Sequence, residues 1–216
     1  MSMIEAKNLE KSFGKIKAVD DLSLSVDKGE IVGVLGVNGA GKTTFIRLIT
    51  GYLKPDKGTV KCQTFGYMPE GAPVYPELTV ETFLKFVAEV HGKKKIDEAV
   101  KLAKLESVLT QKIETLSKGF KRRVALAAAL IHNPPVLLLD EPTEGLDPNQ
   151  KEDLRKILKE LSKTKAILIS THILEEVRSL CTSAILINKG KMVKKLAPKD
   201  FKNLETLFKG LKDEKK

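Results

Sequence analysis

Apolar residues follow two patterns along this chain, short continuous runs and helical repeats that alternate with them. Continuous runs of four or five apolar residues are typical of strands covered on both faces of a parallel sheet. These runs occupy residues 31–35, 136–139, 166–169 and 184–187. Helical spacing predicts helices at residues 43–50, 80–91, 118–131, 148–161 and 173–180. The alternation of strand and helix predicts an α/β fold with a parallel-sheet core.

Two stretches depart from that alternation. Short strands are predicted at residues 4–9, 15–19 and 22–26, and their half-polar character indicates a small antiparallel sheet. Residues 71–133 hold helical patterns but no buried strand, which predicts a helical subdomain inserted into the core. We therefore expect one domain, in which residues 1–70 and 134–216 form the small β-subdomain and the parallel core. A frayed tail is predicted at residues 209–216.

Composition places the chain among globular proteins. It has 216 residues, enough for one domain with a buried core, and 42% of them are hydrophobic. The longest apolar run, at about residues 125–131, is far shorter than the roughly 18 residues of a membrane span, so we expect no crossing within this chain. The first residues lack a signal-peptide pattern, and Cys62 and Cys181 lack metal-type spacing, which together indicate a reduced cytoplasm.

The net charge of +10 is uneven along the chain. Residues 1–150 hold 21 basic and 19 acidic side chains, whereas residues 151–216 hold 17 and 9. A basic segment of this kind indicates either a solvated lysine-rich surface or contact with nucleic acid or an anionic membrane. Both interpretations remain open at this point.

A glycine-rich segment, Gly36-Val37-Asn38-Gly39-Ala40-Gly41-Lys42-Thr43, directly follows the first buried strand. It matches the phosphate-binding loop pattern G-x-x-x-x-G-K-[ST] and lies between a strand and a helix, as that pattern requires. Its glycines let backbone N–H groups turn toward a phosphate, and the following helix adds the positive end of its dipole. We expect Lys42 to bridge the β- and γ-phosphates of a nucleotide and the Thr43 hydroxyl to take a position on Mg²⁺.

Further candidate residues follow two of the predicted core strands. Asp140 and Glu141 come directly after the second strand, at the end where ligands of parallel sheets bind. Asp140 is placed to hold Mg²⁺ through water, and Glu141 to polarise the water that attacks the γ-phosphate. His172 follows the third strand and can act as a hydrogen-bonding sensor of the γ-phosphate. His91 and His132 have no such placement and are interpreted as non-functional.

The segment Leu116-Ser117-Lys118-Gly119-Phe120 resembles the signature motif of the ATP-binding cassette (ABC) ATPases. The phosphate loop, the signature, the Asp140-Glu141 pair, Gly145-Leu146-Asp147 and His172 follow that family's order across nearly the whole chain. The resemblance implies a P-loop NTPase with a parallel-sheet core, a small antiparallel β-subdomain and an inserted helical subdomain that carries the signature. It also implies that ATP and Mg²⁺ are the cofactors.

The resemblance assigns further residues to the nucleotide site. Ser117 and Gly119 would contact the γ-phosphate held by a second copy of the domain, and Asp147 would lie at the dimer interface. Phe13 matches the aromatic residue that stacks on adenine, the alternative being a buried core phenylalanine. The nucleotide contacts predicted are Phe13, Gly36, Asn38, Gly39, Ala40, Gly41, Lys42, Thr43, Thr44, Ser117, Gly119 and Asp147. Catalysis is assigned to Glu141, His172 and Lys42, and metal binding to Thr43, Asp140 and Glu70.

The sequence departs from the family's pattern at several positions. The signature usually has glycine where Lys118 stands and often glutamine where Phe120 stands. Glu70 replaces the family's usual glutamine, but a carboxylate can still coordinate Mg²⁺, and glutamate is found there in exporter-type and unclassified members. The segment of residues 51–65 is shorter than the corresponding segment of typical members, which predicts a smaller antiparallel sheet.

The resemblance implies the ATP-hydrolysing subunit of an ABC transporter. Such a subunit dimerises head to tail, with itself or with another ABC ATPase subunit, and drives separate permease subunits from the inner face of the cell membrane. One alternative is a soluble ABC ATPase that acts as a switch in cluster assembly or on nucleic acid. The basic segment is the only observation that favours this alternative. Another is a cassette that binds ATP without hydrolysing it. Members of the family that act on chromosomes carry a long coiled coil between the phosphate loop and the signature. The segment between Thr43 and Ser117 has no room for one, so nucleic-acid binding is not expected.

Overall fold

The computed structural model describes residues 2–71, 73–93 and 96–213. Its strands are β1 (Ser2–Phe13), β2 (Ile16–Asp27), β3 (Ile31–Leu35), β4 (Lys57–Cys62), β5 (Phe65–Met68), β6 (Val136–Asp140), β7 (Ala166–Thr171), β8 (Ser183–Asn188) and β9 (Lys191–Leu196). Its α-helices are α1 (Lys42–Ile49), α2 (Val80–Val90), α3 (Asp97–Ala103), α4 (Lys118–Leu130), α5 (Pro148–Ser162), α6 (Leu174–Leu180) and α7 (Leu204–Asp213). Short 3₁₀ helices stand at Glu106–Val108, Ile113–Thr115 and Pro198–Asn203.

Six of these strands form the central sheet, in the order β5-β6-β7-β3-β8-β9. Neighbouring strands are parallel except for β9, which runs antiparallel to β8. Leu35 pairs with Thr171 and Asp140 pairs with Ser170, so the carboxyl ends of β3, β6 and β7 reach the same edge. The segments that follow these strands therefore meet at that edge, where ligands of parallel sheets bind.

The strands β1, β2 and β4 form a separate antiparallel sheet, in the order β2-β1-β4. β1 pairs with β2 from Ser2, opposite Asp27, to Phe13, opposite Ile16. The buried residues of these strands join Phe45 of α1 in one apolar cluster. The antiparallel sheet thus covers the helix that begins at the phosphate loop.

Between β5 and β6 the described chain contains three α-helices, α2, α3 and α4. α2, α3 and α4 pack on one another through an extensive apolar cluster to which Leu84 and Leu105 belong. α4 also lies so close to β5 that a Cβ on Gly66 would stand 2.0 Å from the carbonyl oxygen of Ala129. Glycine at this strand position lets the helical segment pack against the sheet. The boundaries of the helical subdomain, residues 71–133, stay a prediction.

The predicted α/β fold with a parallel core and a small antiparallel sheet is confirmed, with two corrections. The strands predicted at residues 15–19 and 22–26 form one strand, β2, because pairing with β1 continues on both sides of a register shift at Asp20 and Asp21, where Asp21 has a φ of +56°. The frayed tail predicted at residues 209–216 is wrong for residues 209–213, which belong to α7, and residues 214–216 lie outside the described chain. Every helix described is too short or too polar to cross a bilayer.

Candidate active site

A cavity of about 580 Å³ lies beside the phosphate loop. Its wall combines that loop with the segments after β5, β6 and β7, with β2 and with the turn between β8 and β9. The lining residues are Ile16, Lys17, Ala18, Asn38, Gly39, Gly41, Lys42, Thr43, Thr44, Glu70, Glu141, Glu144, His172, Lys189 and Gly190. The fold therefore gathers predicted site residues from four separate segments of the chain.

The phosphate loop adopts a conformation that glycine permits. Gly39 and Gly41 have φ angles of +80° and +104°, which residues with a Cβ rarely adopt. The N–H of Gly36 donates a hydrogen bond to the carbonyl oxygen of Thr171 at 3.2 Å, which ties the loop to β7. Among the described residues no side chain caps the start of α1, so the N–H groups of its first turn are left to bind an anion.

Lys42 is buried and paired with Glu141. Its Nζ lies 3.0 Å from the carbonyl oxygen of Gly36 and 3.2 Å from Oε1 of Glu141. Each of these buried charges depends on the other, because an unpaired charge in such a place is costly. A phosphate group in the loop would compete with Glu141 for Lys42, so its binding would favour the release of Glu141.

Glu141 has a strained backbone that turns its side chain toward two partners. Its φ angle of +48° costs a residue with a Cβ on the order of 1 kcal/mol. Ser170 holds the strained residue, because its carbonyl oxygen accepts the N–H of Glu141 at 3.1 Å. Oε2 of Glu141 then lies 3.0 Å from Nδ1 of His172. Glu141 consequently contacts both Lys42 and His172.

Asp140 offers a carboxylate oxygen to a metal ion. It is fully buried, and Ser170 donates a hydrogen bond to Oδ1, but Oδ2 has no partner in the described part of the chain. Thr43, Glu70 and Asp140 line a second cavity of about 330 Å³. Carboxylate and hydroxyl oxygens suit Mg²⁺, so these residues fit that ion. No group of three or more His, Cys, Asp or Glu within the described residues forms a complete metal site, so phosphate and water oxygens would supply the other ligands.

Glu176, in α6, is a further carboxyl group in the electrostatic environment of Glu141. It is 1% exposed, and neither of its oxygens makes a well-formed hydrogen bond to a described residue. Burial raises the pKa of Glu176 to about 7, and the negative charge of Glu141 adds to this shift. The Thr171 side chain and the cations Lys151 and Arg155 offset part of the shift. Glu176 therefore titrates near neutral pH.

Some predicted nucleotide contacts do not line the larger cavity. They are Phe13, Gly36, Ala40, Ser117, Gly119 and Asp147. Phe13 is 49% exposed, with Nζ of Lys11 5.9 Å from its ring centre, so the alternative of a buried core phenylalanine is wrong. Ile16 lines the cavity near the same end of the antiparallel sheet. Asp147 caps α5 by accepting the N–H of Gln150 at 2.9 Å.

The signature segment forms the start of α4. Ser117 caps this helix, because its Oγ accepts the N–H of Phe120 at 3.3 Å. A Cβ on Gly119 would lie 2.8 Å from the side chain of Gln150, so glycine lets α4 approach α5 here. Phe120 packs on the apolar cluster of the helices, and the Arg123 guanidinium lies 4.2 Å from its ring centre. These apolar and cation–π contacts explain an aromatic residue at this position.

Sequence reasoning missed part of the cavity wall. The missed residues are Ile16, Lys17, Ala18, Glu144, Lys189 and Gly190. Gly190, shortly after the apolar run at residues 184–187, is compatible with a tight turn, and this signal was present in the sequence. What such a turn touches depends on the arrangement of both sheets, which the local pattern does not contain.

Comparison with known proteins agrees with this geometry. A family model described as ABC transporter matches residues 19–144. The uncharacterized ABC transporter ATP-binding protein YdbJ of Bacillus subtilis (strain 168) is 38% identical over 208 residues. That similarity covers 88% of this chain and 68% of YdbJ.

Two solved structures have the same fold. One is the ATP-binding subunit of an ABC transporter, with a TM-score of 0.81 and 30% identity, covering 98% of this chain and 97% of that one. The other is a bacterial ABC transporter cassette in dimeric form, with a TM-score of 0.81 and 26% identity. It covers 91% of this chain and 99% of the cassette.

Proposed function

This chain belongs to the ABC transporter family of ATP-binding proteins, and on that premise we propose that it hydrolyses Mg²⁺-ATP to drive a separate membrane permease. The observation that carries the proposal is the contact of Glu141 with both Lys42 and His172 at the phosphate loop. A carboxylate, a cation and a hydrogen-bonding imidazole then meet where a γ-phosphate would lie.

Lys42 and the loop would bind the phosphates of ATP. The N–H groups at the start of α1 and the ammonium group of Lys42 neutralise phosphate charge, which favours a triphosphate over a neutral ligand. Thr43 and Asp140 would hold Mg²⁺, with Glu70 at the same cavity. Bound Mg²⁺ supplies charge neutralisation for the β- and γ-phosphate oxygens.

Glu141 would act as the general base. When phosphate draws Lys42 away, the Glu141 carboxylate becomes free to accept a proton from the attacking water. His172 would hold Glu141 in position through Nδ1 and sense the γ-phosphate. The strained backbone of Glu141 supports this role, because such strain is concentrated at functional sites.

A dimer would complete the nucleotide site. Ser117 and Gly119 stand at the start of α4 and do not line the cavity of their own chain. The N-terminus of α4 can present N–H groups to a γ-phosphate on a second copy. The similar cassette in dimeric form supports this arrangement. In such a dimer Asp147 would lie at the interface.

The general-base assignment is tested by Glu141→Gln. This change removes the proton acceptor and keeps the size of the side chain, so turnover should fall by about 10² or more while ATP still binds. Phosphate release and ATP affinity would be measured side by side. Glu160→Gln, the same change at an exposed position of α5, should behave as wild type. Unchanged hydrolysis in Glu141→Gln would remove Glu141 from this role.

Transport coupling is tested by what the protein binds in its own cells. Under the proposal, the chain co-purifies with a polytopic membrane protein, at the inner face of the membrane. Salt-sensitive retention of nucleic acid without any membrane protein would favour the soluble switch, the alternative suggested by the basic segment 151–216.

A further inference from the structure

The turn between β8 and β9 bonds to two walls of the larger cavity at once. The N–H of Gly190 donates to the carbonyl oxygen of Ala40, in the phosphate loop, at 3.0 Å. The carbonyl oxygen of Gly190 accepts the N–H of Asp20, in β2, at 2.8 Å. The backbone of Gly190 thus connects the phosphate loop to the antiparallel sheet.

Two glycines approach the same carbonyl group at this junction. A Cβ on Gly41 would lie 2.2 Å from the oxygen of Ala18, and a Cβ on Gly190 would lie 2.9 Å from it. The Cβ on Gly190 would also lie 2.9 Å from the oxygen of Lys17. Gly41 and Gly190 both have positive φ angles, of +104° and +78°. Neither position has room for a side chain, so the close approach depends on glycine from both sides.

Charged side chains reinforce the junction from outside. The Asp20 carboxylate pairs with Nζ of Lys17 and lies 3.3 Å from Nζ of Lys191. Lys17 and Asp20 belong to β2, whereas Lys191 is the first residue of β9. The Lys191–Asp20 pair therefore joins β9 to β2 through side chains, in addition to the backbone bond between Gly190 and Asp20.

We propose that Gly190 is a positioning residue for nucleotide binding, which fixes the phosphate loop against β2 in its binding conformation. The inference rests on the proposed ATP binding. Gly41, Ala18 and Gly190 all line the cavity, so their spacing sets the distance between the phosphate loop and the opposite wall. A loop that is already fixed loses less conformational entropy when ATP binds, and this lowers the dissociation constant.

The test compares Gly190→Ala with Gly58→Ala. In Gly190→Ala the new methyl group separates the turn from Ala18, and the Kd for Mg²⁺-ATP should rise by about tenfold, the equivalent of one or two lost hydrogen bonds. Gly58, in β4, also has a positive φ, and a Cβ there would lie 2.3 Å from two carbonyl oxygens of β1. Gly58→Ala should therefore lower the melting temperature while the folded protein keeps a wild-type Kd.

Calorimetric titration with ATP gives the Kd, and thermal melting without ATP gives the stability. Gly29→Ala, at a positive φ with nothing within 4 Å of the new Cβ, measures backbone strain alone. A wild-type Kd in folded Gly190→Ala would overturn the inference. An equal rise of Kd in Gly58→Ala would also overturn it, because affinity would then follow stability in general.

Amide hydrogen exchange in the wild-type protein decides the question if Gly190→Ala does not fold. ATP should slow exchange at the amides of Gly190 and Asp20 several-fold, because a bound nucleotide holds both walls together. The amide of Asp56, which bonds to Glu10 within the antiparallel sheet, should exchange at an unchanged rate. Unaltered exchange at Gly190 and Asp20 in a protein that binds ATP would overturn the inference alone. A wild-type protein that binds no ATP would overturn the proposed function, and the inference with it.

Discussion

At the scale of single residues, the site is held by groups that compensate one another's cost. Glu141 combines a positive φ with burial and a negative charge, each of which is unfavourable by itself. Ser170 bonds its backbone, and Lys42 and His172 contact its carboxylate. The conformation of Glu141 is therefore stable only within this set of contacts. The effect of changing one partner on the free energy of unfolding should depend on which of the others are present.

The Lys42–Glu141 pair gives a first prediction of that dependence. Lys42→Met leaves the Glu141 carboxylate buried without its cation, so the free energy of unfolding should fall by about 3 kcal/mol. Adding Glu141→Gln removes the unpaired charge and should restore part of that loss. Urea denaturation of both single variants and the double variant measures the coupling. Strictly additive losses would mean that the pair contributes no interaction energy.

Glu176 gives a prediction of pH dependence. Its carboxyl pKa is raised from 4.5 to about 7 in the folded protein. Between these two pH values the folded chain keeps a proton that the unfolded chain has released. The free energy of unfolding should therefore fall as the pH rises through this window, by about 3 kcal/mol in total above pH 7.

Glu176→Gln removes that titration. The variant should lose less stability than wild type between pH 5 and pH 8, which denaturation in urea at both pH values would show. Glu160→Gln, at a largely exposed carboxyl, should keep the wild-type slope. Equal slopes in wild type and Glu176→Gln would contradict the assignment of the titration to Glu176.

At the scale of elements, the buried parts of the fold followed from the sequence best. β3, β6, β7 and β8 lie within one or two residues of the predicted runs, because strands covered on both faces must be continuously apolar. β9 was missed, since this edge strand contains Lys191, Lys194 and Lys195 and shows little apolar pattern. α3 was missed because its seven residues are held by packing against α4 more than by their own periodicity.

The site shows the same division. The phosphate loop, Asp140, Glu141 and His172 could be placed at one sheet edge, because parallel strands bring their carboxyl ends together. The positive φ of Glu141 and the contact of Gly190 with Ala40 could not, since both depend on partners that lie far away in the sequence.

The caps of α2 and α4 give a matched pair of predictions at this scale. Ser117 caps α4, and Thr79 caps α2 by accepting the N–H of Thr82 at 3.2 Å. Ser117→Ala and Thr79→Ala should each lower the free energy of unfolding by about 1 kcal/mol. Under the proposed dimeric site, Ser117→Ala should also slow ATP hydrolysis, whereas Thr79→Ala should not. Equal hydrolysis rates in the two variants would contradict contact between Ser117 and ATP.

At the scale of the whole molecule, each cavity is proposed to be completed by a second copy. Ser117 and Gly119 do not line the cavity of their own chain, so ATP would join the phosphate loop of one copy to the signature helix of the other across the interface. Hydrolysis would then separate the copies by removing the γ-phosphate. Association should therefore depend on uncleaved nucleotide more than on apolar contact.

A variant that binds ATP without cleaving it tests this expectation. Glu141→Gln should run as a dimer in size-exclusion chromatography with Mg²⁺-ATP and as a monomer with ADP. Glu141→Gln combined with Ser117→Arg, whose long cation blocks the proposed contact, should stay monomeric with ATP. A monomer at every concentration of ATP in Glu141→Gln would contradict the dimeric site.

The ion pair between Lys42 and Glu141 also bears on when Glu141 can accept a proton. While Lys42 is paired with Glu141, the carboxylate proposed as the general base would be engaged and could not accept a proton from water. Ligands with fewer phosphates should attract Lys42 less strongly and leave its pair with Glu141 intact. The same short contact would thus make the availability of the proposed general base depend on the presence of a nucleoside triphosphate.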